Sequence, residues 1–185
     1  MEDAELIRQV LTGQHDQYAL LVERYDRGLF HFVRRLLNSD EDAYDCAQEA
    51  FLAAYRNLGR YSDKYTFRAW LYAIARNKAI DMLRQKREIV SLDAQGNFYA
   101  DSQPGPEEIW LAKEQIAFLQ QALENLPDHY RQALYLRYRQ ELSYEEVAVV
   151  LEVPVSRVKT YLHRGKEKLR RELEQRGMVQ NEFLG

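Results

Sequence analysis

The chain has 185 residues, 26 basic and 29 acidic side chains, a net charge of −3 and a single cysteine, which allows one or two small domains. No apolar run is long enough to span a bilayer, the start Met1-Glu2-Asp3-Ala4-Glu5 is acidic where a secretion signal is basic, and Cys46 has no second cysteine to pair with. These features fit a reducing cytoplasmic setting without membrane insertion, and one cysteine with four scattered histidines leaves no zinc pattern. Neither a metal nor another cofactor is expected. A Gly-rich phosphate loop, a nucleophile elbow and a His/carboxylate spacing are also missing, so the chain is not expected to be an enzyme.

Four Pro and eight Gly among abundant Leu, Ala, Glu, Arg and Gln point to an all-α fold. In chain order, a first helix covers about Ala4 to Leu11 and ends at Gly13. A second runs from Gln17 to Leu37, with Leu20, Leu21, Tyr25, Leu29, Phe32, Val33 and Leu36 as its buried stripe. Asn38-Ser39-Asp40 breaks it, and Asp40, Glu41 and Asp42 suit the positive end of a third helix, Glu41 to Leu58. Ala47, Ala50, Phe51, Ala54 and Leu58 form the inward stripe of that helix. Asp45, Glu49, Leu52 and Arg56, with Gln48 beside them, share another face, and an exposed Leu framed by polar groups reads either as a protein-docking face or as an ordinary solvated one.

A polar, aromatic loop from Arg60 to Thr66 leads into a fourth helix, Phe67 to Arg87, where Phe67, Leu71, Ile74, Ala75 and Met82 can face a core. One neighbouring stripe carries Tyr65, Arg68, Tyr72 and Arg76, and another carries Trp70, Asn77, Asp81 and Arg84. Rings stack on unpaired bases, cations hold phosphates and an amide can read a base edge, so this mixture suits single-stranded DNA. Taken singly, each aromatic could equally pack the domain.

From Ile89 to Pro106 the helical period is lost among Asp93, Gly96, Asn97, Asp101, Ser102, Pro104, Gly105 and Pro106, as in an interdomain linker. Helix resumes near Glu107, and Leu126-Pro127-Asp128 marks a break and a fresh start. Next comes Leu142-Ser143-Tyr144-Glu145-Glu146-Val147, where Ser143 and Glu146 make a capping box and Leu142 can staple onto Val147. Pro154 closes that short helix. The last helix buries Val155, Val158, Leu162, Leu169 and Leu173 and presents Ser156, Arg157, Lys159, Thr160, His163, Arg164 and Lys168 elsewhere. A short capped helix, a tight turn and a longer basic helix can lay the second helix in the DNA major groove.

Charge is blocked along the chain. Glu2 to Glu49 has 11 acidic and 5 basic residues, a net of −6, whereas Arg56 to Arg87 has 9 basic and 2 acidic, a net of +7. Glu88 to Asp128 has 8 acidic residues against Lys113, a net of −7, and the remainder has 11 basic and 8 acidic, a net of +3. Two cationic segments around an acidic connector imply two nucleic-acid contacts joined by a piece that avoids phosphate.

Asp45-Cys46-Ala47-Gln48-Glu49-Ala50-Phe51, Phe67-Arg68-Ala69-Trp70-Leu71-Tyr72-Ala73-Ile74-Ala75-Arg76-Asn77, Asp81 and Arg84 together resemble region 2 of bacterial sigma factors of the extracytoplasmic-function (ECF) class, group IV of the sigma-70 family. Leu126-Pro127, Arg131, Leu136-Arg137, Leu142 to Ala148, Val153-Pro154-Val155 and Val158-Lys159 resemble region 4 of the same class, in the family's order. The resemblance implies an all-α protein of two small helical domains joined by a flexible linker: region 2 over 1–88, the acidic linker over 89–106, region 4 over 107–176 and a short tail over 177–185.

It further implies an initiation factor that binds RNA polymerase core and directs it to promoters. Asp45, Gln48, Glu49, Leu52 and Tyr55 would dock on the clamp of the largest core subunit, and region 4 on the flap region. Tyr61, Ser62, Asp63, Lys64, Tyr65, Arg68, Trp70, Tyr72, Arg76 and Asn77 would capture and open the −10 element. Arg137, Ser156, Arg157, Lys159, Thr160, His163 and Arg164 would read the −35 element as duplex. An anti-sigma factor is a further implied partner. The chain departs from the family pattern at Ser156 and Arg157 (usually a small residue and Thr), at Tyr161 (usually basic) and at Glu152 (usually Gly). A free-standing helix-turn-helix repressor is the alternative, and it leaves the Arg60–Arg87 segment and the Asp45-Gln48-Glu49 face without a purpose.

Overall fold

The computed structural model describes residues 1–90 and 118–175, with side chains up to residue 86 in the first stretch. Among the described residues the chain is built from helices and turns, without strands. The expected linker core, the helical restart near Glu107 and the tail lie outside the described residues.

α1 (Asp3–Leu11) begins with Asp3 and Glu5 at its positive end and buries Leu6, Ile7 and Val10. Gly13, at φ +102, turns the chain where a side chain would be strained. α2 (Tyr18–Leu37) stops at Asn38, which takes the left-handed conformation that Asn tolerates better than most residues. Ser39 then caps α3 (Asp40–Arg56) by accepting from the Asp42 N–H, and three acids fill the first turn. Tyr61–Thr66 leads into α4 (Phe67–Val90). The expected boundaries differ by a residue or so at most ends, as fraying ends do.

α2, α3 and α4 pack on one another, and α1 lies against α2. α3 contributes Ala43, Cys46, Ala47, Ala50 and Ala54, all buried, and these small side chains let its neighbours approach closely. Larger groups fill the space from the other side: Leu21, Leu29, Phe32 and Val33 of α2, and Phe67, Leu71 and Tyr72 of α4. Full burial of one such side chain stabilises by about 1.5–3 kcal/mol. Leu20, expected inside, is exposed, and Leu37 takes its place in the core. Across α3 and α4, Lys86 bonds Asp42, which holds that carboxyl below its usual pKa range.

In the C-terminal half, α5 (118–124) precedes the Leu126-Pro127 break. α6 (Asp128–Leu134) continues into a π-helical turn, Tyr135–Arg139, that periodicity did not reveal. α7 (Tyr144–Leu151) carries the expected capping box in full, with Leu142 and Val147 both buried. α8 (Val155–Gln175) buries Val158, Leu162 and Leu169 against α6 and α7. Gly165 lies where α8 meets α6, and a Cβ there would stand 3.1 Å from Leu134 Cδ1 and 3.3 Å from Tyr130 Cβ.

The two halves touch. α4 packs against α7, and the buried residues of both halves form one contiguous cluster.

Candidate nucleic-acid interface

Ser156, Arg157, Lys159, Thr160, His163 and Arg164 are all exposed on α8, opposite its buried stripe. Thr160 Oγ1 donates to the Ser156 carbonyl at 3.1 Å, and His163 lies 3.9 Å from Glu167. The side chains of Arg157, Lys159 and Arg164 make no hydrogen bond or ion pair among the described residues, which leaves them for an external anion or base edge. Arg137 differs from them. It is half-buried, its Nη1 donates to the Leu142 carbonyl at 2.8 Å, and its guanidinium lies 5.2 Å from the Tyr144 ring centre. It braces the turn into α7. Tyr161, at a position where a base is usual, packs on His129 and Tyr130 with ring centres 4.7 and 5.7 Å away.

On α3, Asp45, Gln48, Glu49, Leu52 and Tyr55 form one exposed face, with Leu52 at 49% exposure. Glu49 accepts from Lys78 Nζ at 3.0 Å, and that bond keeps its carboxyl below the usual range. Tyr55 Oη lies 3.0 Å from His15 Nδ1. Cys46, on the opposite face, is wholly buried. Desolvation pushes its thiol up to about 11, so the reactive thiolate is scarce.

In the loop before α4, Ser62, Asp63 and Lys64 are exposed and Tyr65 is half-buried. Tyr61 donates to the Tyr65 carbonyl at 2.8 Å, and its ring sits 5.3 Å from Trp70. Trp70 in turn lies 5.9 Å from Phe67. One expected DNA-binding residue is misplaced. Tyr72 is 0% exposed, packed on Phe32 at 5.1 Å between ring centres, with its hydroxyl buried and unpaired among the described residues. Its side chain turns toward α2 and away from Arg68 and Arg76 of the same stripe, so Tyr72 is a core residue and does not reach a DNA strand.

The remaining α4 residues of the set face the C-terminal half. Arg68 Nη1 donates to the Gln140 carbonyl at 2.6 Å. Asn77 Nδ2 donates to Glu152 Oε1 at 2.9 Å, and Arg76 Nη1 is 4.0 Å from the other oxygen of that carboxylate. Arg76 is half-buried with its Nε unpaired among the described residues, and burial lowers its pKa while Glu152 opposes that shift. Thr66, whose N–H donates to Glu146 Oε1 at 3.1 Å, adds its hydroxyl to the same oxygen. Desolvation raises the Glu146 pKa, but these bonds and those from Ser143 outweigh it and hold the carboxyl below 4.5. Sequence reasoning did not connect Thr66, Gln140, Glu146 and Glu152 with the α4 face. The one signal available was Glu152 itself, an acid at a position where the family pattern has Gly.

A helix-turn-helix with an exposed cationic row, together with a second cationic and aromatic helix, defines a DNA-binding protein of two helical units. Residues 21–89 match the family model of sigma-70 region 2, and residues 119–169 match that of sigma-70 region 4. The chain is 37% identical to the ECF RNA polymerase sigma factor SigW of Bacillus subtilis, over 90% of this chain and 94% of that one. It is 33% identical to the RNA polymerase sigma-H factor of Pseudomonas aeruginosa, over 94% of each chain, and 33% identical to the ECF sigma-E factor of Escherichia coli K12, over 90% and 92%. Among solved structures, CnrH in complex with the cytosolic domain of CnrY superposes with a TM-score of 0.67 at 25% identity, covering 94% of this chain and 97% of that one. The Bartonella quintana sigma factor RpoE, bound to the anti-sigma factor NepR, shares the fold at the same TM-score and 19% identity, over 85% and 96%. The chain belongs to the sigma-70 family of RNA polymerase sigma factors, in its ECF class.

Proposed function

We propose that this ECF sigma factor grips a promoter at two points while docked on RNA polymerase core, and that it catalyses no covalent reaction itself. The observation that carries this reading is the pair of cationic faces on separate helices, α4 and α8, beside a third face on α3 whose exposed Leu52 is ringed by Asp45, Gln48, Glu49 and Tyr55. The α3 face docks on the core enzyme's clamp, and the C-terminal helices on its flap. Ser156, Arg157, Lys159, Thr160, His163 and Arg164 enter the major groove at −35, where Arg or Lys donating to guanine O6 and N7 discriminates by about 1–3 kcal/mol per good pair. Arg137 braces the start of the preceding helix, α7, through Leu142 and Tyr144.

Ser62, Asp63, Lys64 and Tyr65, with Tyr61 behind them, receive unpaired bases at −10. Arg68, Arg76 and Asn77 hold that strand, and Trp70 props the opened duplex. Melting follows from binding unpaired bases more tightly than paired ones, each stacked base adding about 1–3 kcal/mol. The active site for RNA synthesis belongs to the polymerase.

Region 2 occupies 1–88 and region 4 occupies 107–176 in this reading, with 89–106 between them and 177–185 as a tail. The protein works in the cytoplasm, where core enzyme and promoter are. No helix among the described residues is long and apolar enough to cross a membrane. One solved structure pairs CnrH with the cytosolic domain of CnrY and another pairs RpoE with the anti-sigma factor NepR, and an anti-sigma factor is the corresponding partner here.

The repressor alternative differs in one respect that a gel shift reads directly. A repressor binds its duplex operator unaided, whereas this chain is expected to bind promoter duplex tightly only in the presence of core enzyme. Tight binding by the chain alone, unchanged on adding core, would refute the proposal.

A further inference from the structure

α1 lies ahead of residues 21–89, the stretch that matches sigma-70 region 2, yet its first turn is tied to the start of α4. Leu6, Ile7 and Val10 are buried and account for the docking of α1, but they leave its polar start unexplained. The Asp3 carboxylate there is half-buried and accepts from two donors of α2, the Tyr25 hydroxyl and Arg24 Nη1. Arg24 Nη2 also donates to the Met1 carbonyl at 2.8 Å, which fastens the turn ahead of α1 onto α2.

Tyr25 links that carboxylate to α4. Its ring is 6% exposed and packs on Phe67 with centres 5.8 Å apart. Phe67 stands 5.9 Å from both Tyr61 and Trp70, so the contact continues into the aromatic cluster behind the −10 loop. The Arg68 guanidinium lies 5.5 Å from the centre of the Tyr25 ring. Opposite charges flank the hydroxyl: burial and then Asp3 push its pKa up to about 12, while Arg68 pulls the other way. A hydrogen bond onto a carboxylate is shorter and stronger than a neutral one, so Asp3 gives the phenol a single orientation. With its proton committed to Asp3, the phenol oxygen keeps its lone pairs for the guanidinium. An arginine alone on a helix face spreads over many rotamers, and that freedom is lost when it grips a phosphate. Against the ring and hydroxyl of Tyr25, part of it is gone before DNA arrives.

We infer that Asp3 and Tyr25 are positioning residues for promoter opening that act through Arg68: Asp3 orients the Tyr25 hydroxyl, and Tyr25 holds the Arg68 guanidinium for the −10 strand. The inference rests on the −10 reading proposed above. It adds α1, outside the matched stretch, to the promoter-opening machinery. Asp3, Tyr25 and Arg68 all belong to the N-terminal half, so the hold needs nothing from the Gln140 carbonyl that Arg68 also meets.

The test uses full-length variants reconstituted with core enzyme on a promoter mapped with wild-type holoenzyme, and follows opening by the permanganate reactivity of unpaired thymines. Tyr25→Phe removes the hydroxyl and keeps the ring on Phe67, and Asp3→Ala removes the acceptor from the other side. Each is expected to slow opening about fivefold while core binding stays at the wild-type level. Arg68→Ala is expected to slow opening as well, and adding Tyr25→Phe to it slows opening no further, since the hydroxyl acts only through that guanidinium. A purely structural role would instead weaken core binding, or add its loss in full to that of Arg68→Ala, and either result overturns the inference. Wild-type opening by either Tyr25→Phe or Asp3→Ala overturns it too. If Arg68→Ala still slows opening in that case, the −10 reading stands and only the positioning role falls. If Arg68→Ala opens promoters normally, the −10 reading of Arg68 fails and takes the inference with it.

Discussion

Tyr72 shows how far a single residue's environment outweighs its pattern. Its hydroxyl is buried without a partner among the described residues, in contact range of α2 near Gly28. An unsatisfied buried hydroxyl is costly, so Tyr72→Phe is expected to leave stability equal or raise it by about 1 kcal/mol, read from urea unfolding midpoints. A loss of stability would show that the hydroxyl has a partner. Glu146 gives a pH dependence. Its carboxyl is held below 4.5 when folded, so its contribution is full above that value and drains away as pH falls through the lowered folded value. Acid titration of wild type should therefore show a loss between about pH 4.5 and lower values that Glu146→Gln lacks. On α8, Arg164 is exposed without an ion partner among the described residues, and Arg164→Ala should relax −35 selectivity in run-off transcription across promoter variants. Unaltered preference would contradict its base-reading role.

At the scale of elements, hydrophobic period and caps carried most of the reading. Asn38 and Ser39 marked the α2–α3 boundary because a left-handed stop and a side-chain cap are local chemistry, and Ser143 with Glu146 did the same for α7. The π-helical turn at Tyr135–Arg139 was not legible, since it places Tyr135 against Phe32 and Gly28 in the other half. For the same reason the sequence leaves the burial of Tyr72 open. Two adjacent stripes of α4 both carry aromatics, and only the position of α2 decides which is covered. Gly165 carries no periodic signal in the sequence, yet it lies where α6 and α8 approach closely. Gly165→Val should cost about 1–3 kcal/mol by forcing Leu134 and Tyr130 apart, measured by thermal or chemical unfolding. The α3 face was legible as a row of polar groups around Leu52, but its occupant was not. Charged replacements at Gln48 and Leu52 should weaken co-purification with core enzyme, and unchanged recovery would mark the face as merely solvated.

For the whole molecule, the blocked charge of the sequence has a structural counterpart. The cationic α4 segment, net +7 with its neighbours, is met by Glu146 and Glu152 of a helix-turn-helix whose own cations point away on α8. No period encodes a meeting between residues 75 to 80 positions apart, which is why the closed arrangement emerged only with the fold. On the proposed reading the same molecule carries two promoter-facing surfaces, the α8 row exposed and the α4 donors met by its own acids. Reconstitution with core polymerase, followed by transcription-start mapping, tests the two-point grip most directly. The account predicts starts downstream of promoters that share both a −35 and a −10 element, with Arg164→Ala changing the first and Asn77→Ala impairing opening at the second. Starts that depend on neither element, or no transcription above core alone, would contradict it.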